Sequence, residues 1–326
     1  MLKLVARRVL SSLILVLLLV TAVFFIVRLA PGDPLDLMVS EDMGPAEREA
    51  VAHRYGLDRS LPQQYRIWLR DLARGDAGFS LTRHQPVREI LAETLPVTLL
   101  LTVTSYTLHL LLAVAAAVFM ITRRGRFSAQ FLQGVGLFCY SVPPFWLGLM
   151  LIMIFAAGLG WLPTSGMHAP DAAFMGGWAR FGDLLRHMVL PVTTLALSMF
   201  MGTARYLRGS LEEILRQDYI LAARARGVPA RRILWRHALP NALLPLITLL
   251  GLHLPFLLGG AMVVEVVFGW PGMGTLTVDA IGQRDYPVIM LTTLVAALAV
   301  VAGGLLADLL YTWADPRVRL TGRREG

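Results

Sequence analysis

The most legible chemistry lies between Asp218 and Asn241, in a polar stretch that separates two apolar runs. Asp218 is a good helix cap. Tyr219 to Arg226 then reads as a helix of two turns, stopped by Gly227. Pro229 opens a second short helix, and Pro240 closes it before the next apolar run. Ala222, Ala223 and Ala225 are small enough to let a partner approach the backbone closely, while Arg224 and Arg226 supply charge. That chemistry is docking rather than catalysis: a short rigid helix suited to a groove on another protein. The bland alternative is a basic loop that only obeys the distribution of positive charge across a membrane.

Groups for bond-making are sparse. The seven histidines are scattered and no H-E-x-x-H occurs, so a catalytic metal is not expected. There is no G-x-S-x-G elbow. Cys139 is the single cysteine, so neither an intrachain disulfide nor a C-x-x-C pair exists. Of the 30 basic residues only Lys3 is lysine, and no glycines precede it. A phosphate-binding loop needs a lysine after its glycines, so this sequence carries none. These features argue against an enzyme.

His109 and His253 fall in apolar runs, where a packed or hydrogen-bonded role competes with a functional one. Tyr106, Tyr140, Ser141, Phe145, Trp146 and His253 are candidate pathway residues, being polar or aromatic groups on apolar spans; core packing is the competing reading for each. Glu265 precedes a Gly/Pro-rich turn over Phe268–Gly274, whose backbone donors it could accept. Glu265, Trp270, Pro271, Gly272 and Gly274, with Pro240, are therefore read as structural. Trp270 is expected either at the headgroup level or against an external partner.

These groups need scaffolding, and the composition says what kind. Hydrophobic residues make up 56% of the 326 and charged residues 16%, against about 25% charged in soluble domains. Six runs are long enough to cross a bilayer: Val9 to Val27, Leu95 to Ile121, Phe131 to Ala156, Met188 to Tyr206, Ala242 to Val267, and Pro287 to Trp313. The first is too long for a signal h-region and is expected to stay uncleaved. The expectation is an all-α polytopic membrane protein. A first span (1–30) precedes an extracytoplasmic helical insert (31–94). A five-helix core (95–313) with the polar stretch at 207–240 follows, and then a tail (314–326).

The insert carries eight Arg and eleven Asp or Glu between Pro31 and Glu93. Within it, Ser60-Leu61-Pro62-Gln63 reads as a helix start, with Gln63 reaching back, and Gly75 as a stop. Eighteen basic residues fall on one side of the spans, including Arg123, Arg124, Arg126 and eight between Arg205 and Arg236. The short loops opposite carry only Arg180, Arg186 and Arg284. Both termini are therefore expected in the cytoplasm. The net charge of +8 is explained by topology, with no nucleic acid implied.

Leu221-Ala222-Ala223, then Gly227, then nine residues and His237-Ala238-Leu239-Pro240, resembles the EAA loop of ABC-importer permeases, with Leu221 in place of Glu and His237 in place of Ile. Further segments are similar to the dipeptide/oligopeptide/nickel branch, B type. They include Pro31-Gly32-Asp33-Pro34, Tyr55-Gly56-Leu57-Asp58, Gly75-Asp76-x-Gly78-x-Ser80 and Ser141-Val142-Pro143-Pro144-Phe145-Trp146. The later ones are Phe268-Gly269-Trp270-Pro271-Gly272-Met273-Gly274, Arg284-Asp285-Tyr286-Pro287 and Asp315-Pro316-Arg317.

The resemblance implies a type I permease fold in a bacterial or archaeal inner membrane. It implies a second related permease, two cytoplasmic ATPase subunits and an extracytoplasmic solute-binding protein, with lipid around the spans. ATP and magnesium would sit on the ATPases and no cofactor on this chain. The helix gripped by an ATPase would be Asp218, Tyr219, Leu221, Ala222, Ala223, Arg224, Ala225, Arg226 and Gly227. Short peptides are the expected cargo, with nickel or another small solute as the alternative. A secondary transporter driven by an ion gradient is a further alternative, although intramembrane carboxylate relays and inverted repeats are not evident.

Overall fold

The structure is a computed structural model. It describes residues 2–29, 44, 53, 58–244, 246 and 261–314, with the side chains of 10–306 among them. The helices are α1 (Leu2–Leu29), α2 (Leu61–Ala73), α3 (Val87–Thr122), α4 (Phe127–Ser141), α5 (Pro144–Leu151), α6 (Gly177–Ile214), α7 (Asp218–Ala225), α8 (Ala230–Arg232), α9 (Met262–Val267), α10 (Met273–Gly282) and α11 (Tyr286–Ala314). Wider π-helical turns continue α5 over Ile152–Gly158 and α8 over Ile233–Ala238. Strand-like pairing among the described residues is a single bridge, Phe79 with Pro86. The all-α expectation holds.

The chain forms two compact units, Met1–Thr98 with Pro271–Val301, and Leu99–Trp270 with Ala302–Gly326. In the first, α1 exposes Leu10, Leu13, Leu15 and Leu18, as a lipid-facing helix does. Further along, its second half buries Val20 and Phe24. Phe24 packs edge-on against Tyr65 of α2 with ring centroids 5.2 Å apart, and Trp68 lies 5.6 Å from it. Thr21 Oγ1 meets the Tyr65 hydroxyl at 2.5 Å. The helix of the insert thus lies on the first span through the aromatic residues that recur at helical spacing.

The start and stop of α2 fall where the sequence puts them, by a different mechanism at the start. Ser60 makes no side-chain cap bond. Its carbonyl accepts from Gln63 N and Gln64 N, while Gln64 Nε2 reaches back to Arg59 O at 2.8 Å. Gly75 ends the turn with φ 83°.

The same unit contains a core of Val87, Ile90, Leu276, Ala280, Tyr286, Val288 and Ile289. Beside it, the buried Asp285 carboxylate Oδ2 accepts from Ser80 Oγ (2.5 Å), Thr82 Oγ1 (2.9 Å) and Thr82 N (3.2 Å). Thr98 Oγ1 accepts from Met273 N at 2.7 Å and so caps the first turn of α10.

In the second unit, α6 runs 38 residues, about 57 Å at the usual rise. It extends well beyond the expected span of Met188 to Tyr206 at both ends. Its buried stripe includes Leu190, Thr194, Phe200, Met201, Ala204, Leu207 and Leu211. Ala113, Ala116 and Met120 of α3 pack with Phe200, Met201 and Ala204, with Leu132 and Leu137 of α4 alongside.

The run Phe131 to Ala156 is broken at its prolines: α4 and the α5 segment are bent by 112°. Pro144 disfavours helical geometry in the residue before it, and Val142 and Pro143 are both extended. Pro240 does not close a helix, because residues 230–244 are helical throughout. The π turns widen the backbone just before the proline, giving its ring room. Asn241 Nδ2 donates to His237 O at 2.7 Å across the proline.

Trp270 is fully buried, so it lies neither at the headgroups nor against an external partner. Its N–H donates to Glu265 O at 2.8 Å, closing the turn, and Glu265 itself is fully buried.

Four described helices are long and apolar enough to cross a membrane, or five if the bent pair is one span. Most of the expected span Ala242 to Val267 lies outside the described residues, with His253; so do Pro31–Pro34, Tyr55–Leu57 and Asp315–Arg317.

Candidate functional site

The eight residues of α7 begin one short turn after α6 ends. Ile220 is 0% exposed and Ala223 5%. At i, i+3 spacing they lie on one face, and that face seats in a core of Leu207, Leu211, Ile214, Ile233, Leu234 and Ala238. The sequence expectation placed Ala223 among the partner-facing residues. The structure turns it inward, because a small residue is what allows α7 to lie close on the π-helical stretch.

The C-terminus of α7 is a Schellman turn. Gly227 N donates to Arg224 O at 2.9 Å and Val228 N to Ala223 O at 3.1 Å, with Gly227 at φ 76°. Open space surrounds the place where a Gly227 side chain would lie. The glycine is thus required by backbone conformation and not by crowding.

The opposite face is exposed: Asp218, Tyr219, Leu221, Ala222, Arg224, Ala225, Arg226 and Gly227. Leu221 is 49% exposed and Tyr219 44%, so two large apolar groups stand beside two arginines. Tyr219 is steadied by Asn241, whose Nδ2 donates to its hydroxyl at 3.2 Å. Docking surfaces combine apolar anchors with a charged rim in this way.

The expected pathway residues are more dispersed. Tyr106 stacks on His109 with ring centroids 5.4 Å apart. His109 is buried, with Nε2 at 3.2 Å from Thr203 Oγ1, which is the packed role weighed for it. Ser141, Phe145 and Trp146 are exposed around the bend between α4 and α5, with Trp146 edge-on to Phe138.

Tyr140 lines a recess of about 390 Å³ together with Leu137, Gly202, Arg205 and Tyr206. Sequence reasoning missed the last two: Arg205 counted only as topological charge and Tyr206 only as the end of a span. A second arrangement it missed joins the segment before α6 to the first turns of that helix. Asp183 Oδ2 meets His168 Nδ1 at 2.9 Å and Ala169 N at 3.1 Å, and Asp183 Oδ1 lies 3.2 Å from His187 Nδ1. One carboxylate thereby pins the 159–176 loop to the helix.

Long apolar helices, a broken proline segment and a short helix with an exposed apolar and charged surface describe a polytopic membrane protein. The chain belongs to the family described as "Binding-protein-dependent transport system inner membrane component", which matches residues 88–320. The associated N-terminal family, "Binding-prot-dependent transport system membrane comp, N-term", matches residues 1–102. The family is one of transporter permeases, not enzymes.

The chain is similar over nearly its whole length to three transport proteins. It is 40% identical to the oligopeptide transport system permease protein AppB of Bacillus subtilis, over 96% of this chain and 98% of that protein. It is 38% identical to the di/tripeptide transport system permease protein DppB of Pseudomonas aeruginosa, over 98% and 99%. It is 34% identical to the glutathione transport system permease protein GsiC of Escherichia coli K12, over 98% and 99%.

Proposed function

We propose that this chain forms one half of the translocation pathway of an ATP-driven importer for short peptides. The observation that carries the reading is the seating of α7: Ile220 and Ala223 lock it to α6 and the π-helical stretch, while Tyr219 and Leu221 stay exposed. A helix held this way moves its neighbours when a partner moves it. The partner is an ATPase subunit, since this sequence has no phosphate-binding lysine loop of its own. ATP and magnesium act there, and this chain holds no cofactor.

The full assembly pairs this chain with a second related permease, two cytoplasmic ATPases and an extracytoplasmic binding protein. Both termini and α7 face the cytoplasm, in accord with the arginine distribution. Peptide cargo is supported by the relatives, which are named for oligopeptides, di- and tripeptides, and glutathione.

The test is uptake by proteoliposomes carrying the complete transporter, with Gly227→Leu beside the wild-type chain. The expected result is ATP-dependent peptide uptake that the variant loses together with ATPase co-purification. Full assembly and transport by the variant would contradict the coupling role. Uptake that survives ATP depletion but not an uncoupler would replace it with ion-driven transport.

A further inference from the structure

We infer that the recess between α4 and α6 is a subsite for the terminal carboxylate of the transported peptide; this rests on the peptide-import reading above. The floor is made by a close approach. A side chain at Gly202 would meet the Tyr140 ring at 2.9 Å, so only glycine lets that ring lie against the α6 backbone. Tyr140 and Tyr206, both about half exposed, form the aromatic walls, and Arg205 supplies the charge.

The state of that charge is what points to an anion. One turn further along α6, Arg208 is already engaged, with Nε 3.1 Å from Glu212 Oε1 and a terminal nitrogen 3.4 Å from Gln133 Oε1. Arg205 is exposed and, among the described residues, has no carboxylate within ion-pair distance. A guanidinium presents a planar fork that matches a carboxylate in two parallel hydrogen bonds. Tyrosine rings beside it give an apolar face for the terminal side chain and a hydroxyl for the anion. The recess has the volume of a small-ligand site, which starts at about 300 Å³.

Its place along α6 fits a late position on the route. Arg205 lies nine residues before Ile214, where α6 ends and the turn into α7 begins, a rise of about 14 Å. A carboxylate held here is close to the element that the ATPase moves. Because Arg205 is open to water, its grip is weak and reversible, as release requires.

The test uses the complete transporter in proteoliposomes, with trialanine and its C-terminal amide as probes. Each is supplied at saturating occupancy of the binding protein. In the wild type, uptake of the acid should exceed that of the amide. Arg205→Gln should lower the acid-to-amide uptake ratio about tenfold, the scale of one charge-assisted hydrogen bond, and Arg205→Lys should restore part of it. Co-purification of the ATPase checks that the variants assemble.

A ratio that ignores Arg205 while both peptides enter overturns the subsite alone. Failure of the wild type to import either peptide counts against the peptide reading itself. As a second measurement, acid peptide with benzoylphenylalanine at its C-terminus should photo-crosslink to the segments bearing Tyr140 or Tyr206. A phospholipid retained by the wild type and lost from Arg205→Gln in native mass spectrometry, with no peptide crosslink, would give the recess to lipid and overturn the proposal.

Discussion

Ser80 Oγ donates a 2.5 Å hydrogen bond to Asp285 Oδ2 across 205 positions of sequence. It joins the turn after the helix of the insert to the first residue before the last long helix. Thr82 adds two more donors to the same oxygen. Both partners are buried, Ser80 at 0% and Asp285 at 1% exposure. A buried carboxylate costs free energy unless it is well supplied with donors, so the insert is fastened by a bond that water cannot replace.

Removing the acceptor should therefore hurt more than removing one donor. Ser80→Ala removes one of the three donors to the carboxylate and the acceptor of Arg83 N, and is expected to cost about 1.5 kcal/mol, the low end for a bond to a charged group. Asp285→Ala leaves the Ser80 and Thr82 donors stranded and should cost about 3 kcal/mol. Thermal unfolding in detergent checks the order. Equal midpoints for the two variants would show that the carboxylate is not the fastening.

The two faces of α7 give a sharper contrast. Ile220→Ala empties a fully buried site, and such truncations cost about 2–5 kcal/mol. It should loosen α7 and lower both stability and ATPase binding. Leu221→Ala removes an exposed side chain and should leave the unfolding midpoint nearly unchanged. It should still weaken co-purification of the ATPase. A Leu221→Ala chain that binds ATPase normally would mean the exposed face is not the docking face.

Gly227→Ala tests the backbone alone. No atom lies near the added methyl, so the cost is the left-handed φ, about 1 kcal/mol. That strain falls on the turn that ends α7. The expected outcome is a folded protein whose transport falls further than its stability does. A variant with unchanged transport would show that the turn tolerates the strain without shifting α7.

Asp183 should govern the 159–176 loop. Asp183→Asn keeps the shape but removes the charge that faces His168 and His187. Limited proteolysis should then cut the 159–176 loop faster than in the wild type, with little effect on ATPase co-purification. Unchanged cleavage would mean that the loop is held by its other contacts, such as Gly166 N to Phe268 O at 2.8 Å.

What the sequence made legible was local. Gly227 and Gly75 mark helix ends through left-handed geometry, a signal that needs no tertiary context. Runs of apolar residues announce α1, α3, α6 and α11 for the same reason. Asp218 reads as a cap but is the first residue of α7, with Gln217 at the cap and no side-chain cap bond. The Ser80–Asp285 bond was not legible, because nothing in either segment specifies a partner so distant in the chain. The inward turn of Ala223 was hidden too: an alanine reads as small whether it faces a partner or its own core. Pro240 misled because a π-helical turn absorbs it. Trp270 misled because its aromatic character suits an interface as well as a core. Arg205 reads in the sequence only as topological charge, and only the structure sets it apart from Arg208, which is paired with Glu212.

The most direct test of the coupling account is the accessibility of Leu221→Cys, in a Cys139→Ala background, to a membrane-impermeant maleimide in inside-out vesicles. The account predicts rapid labelling of the permease pair alone and strong protection once the ATPase subunits are assembled. Labelling at the same rate with and without the ATPases, in vesicles where assembly is confirmed, would contradict it.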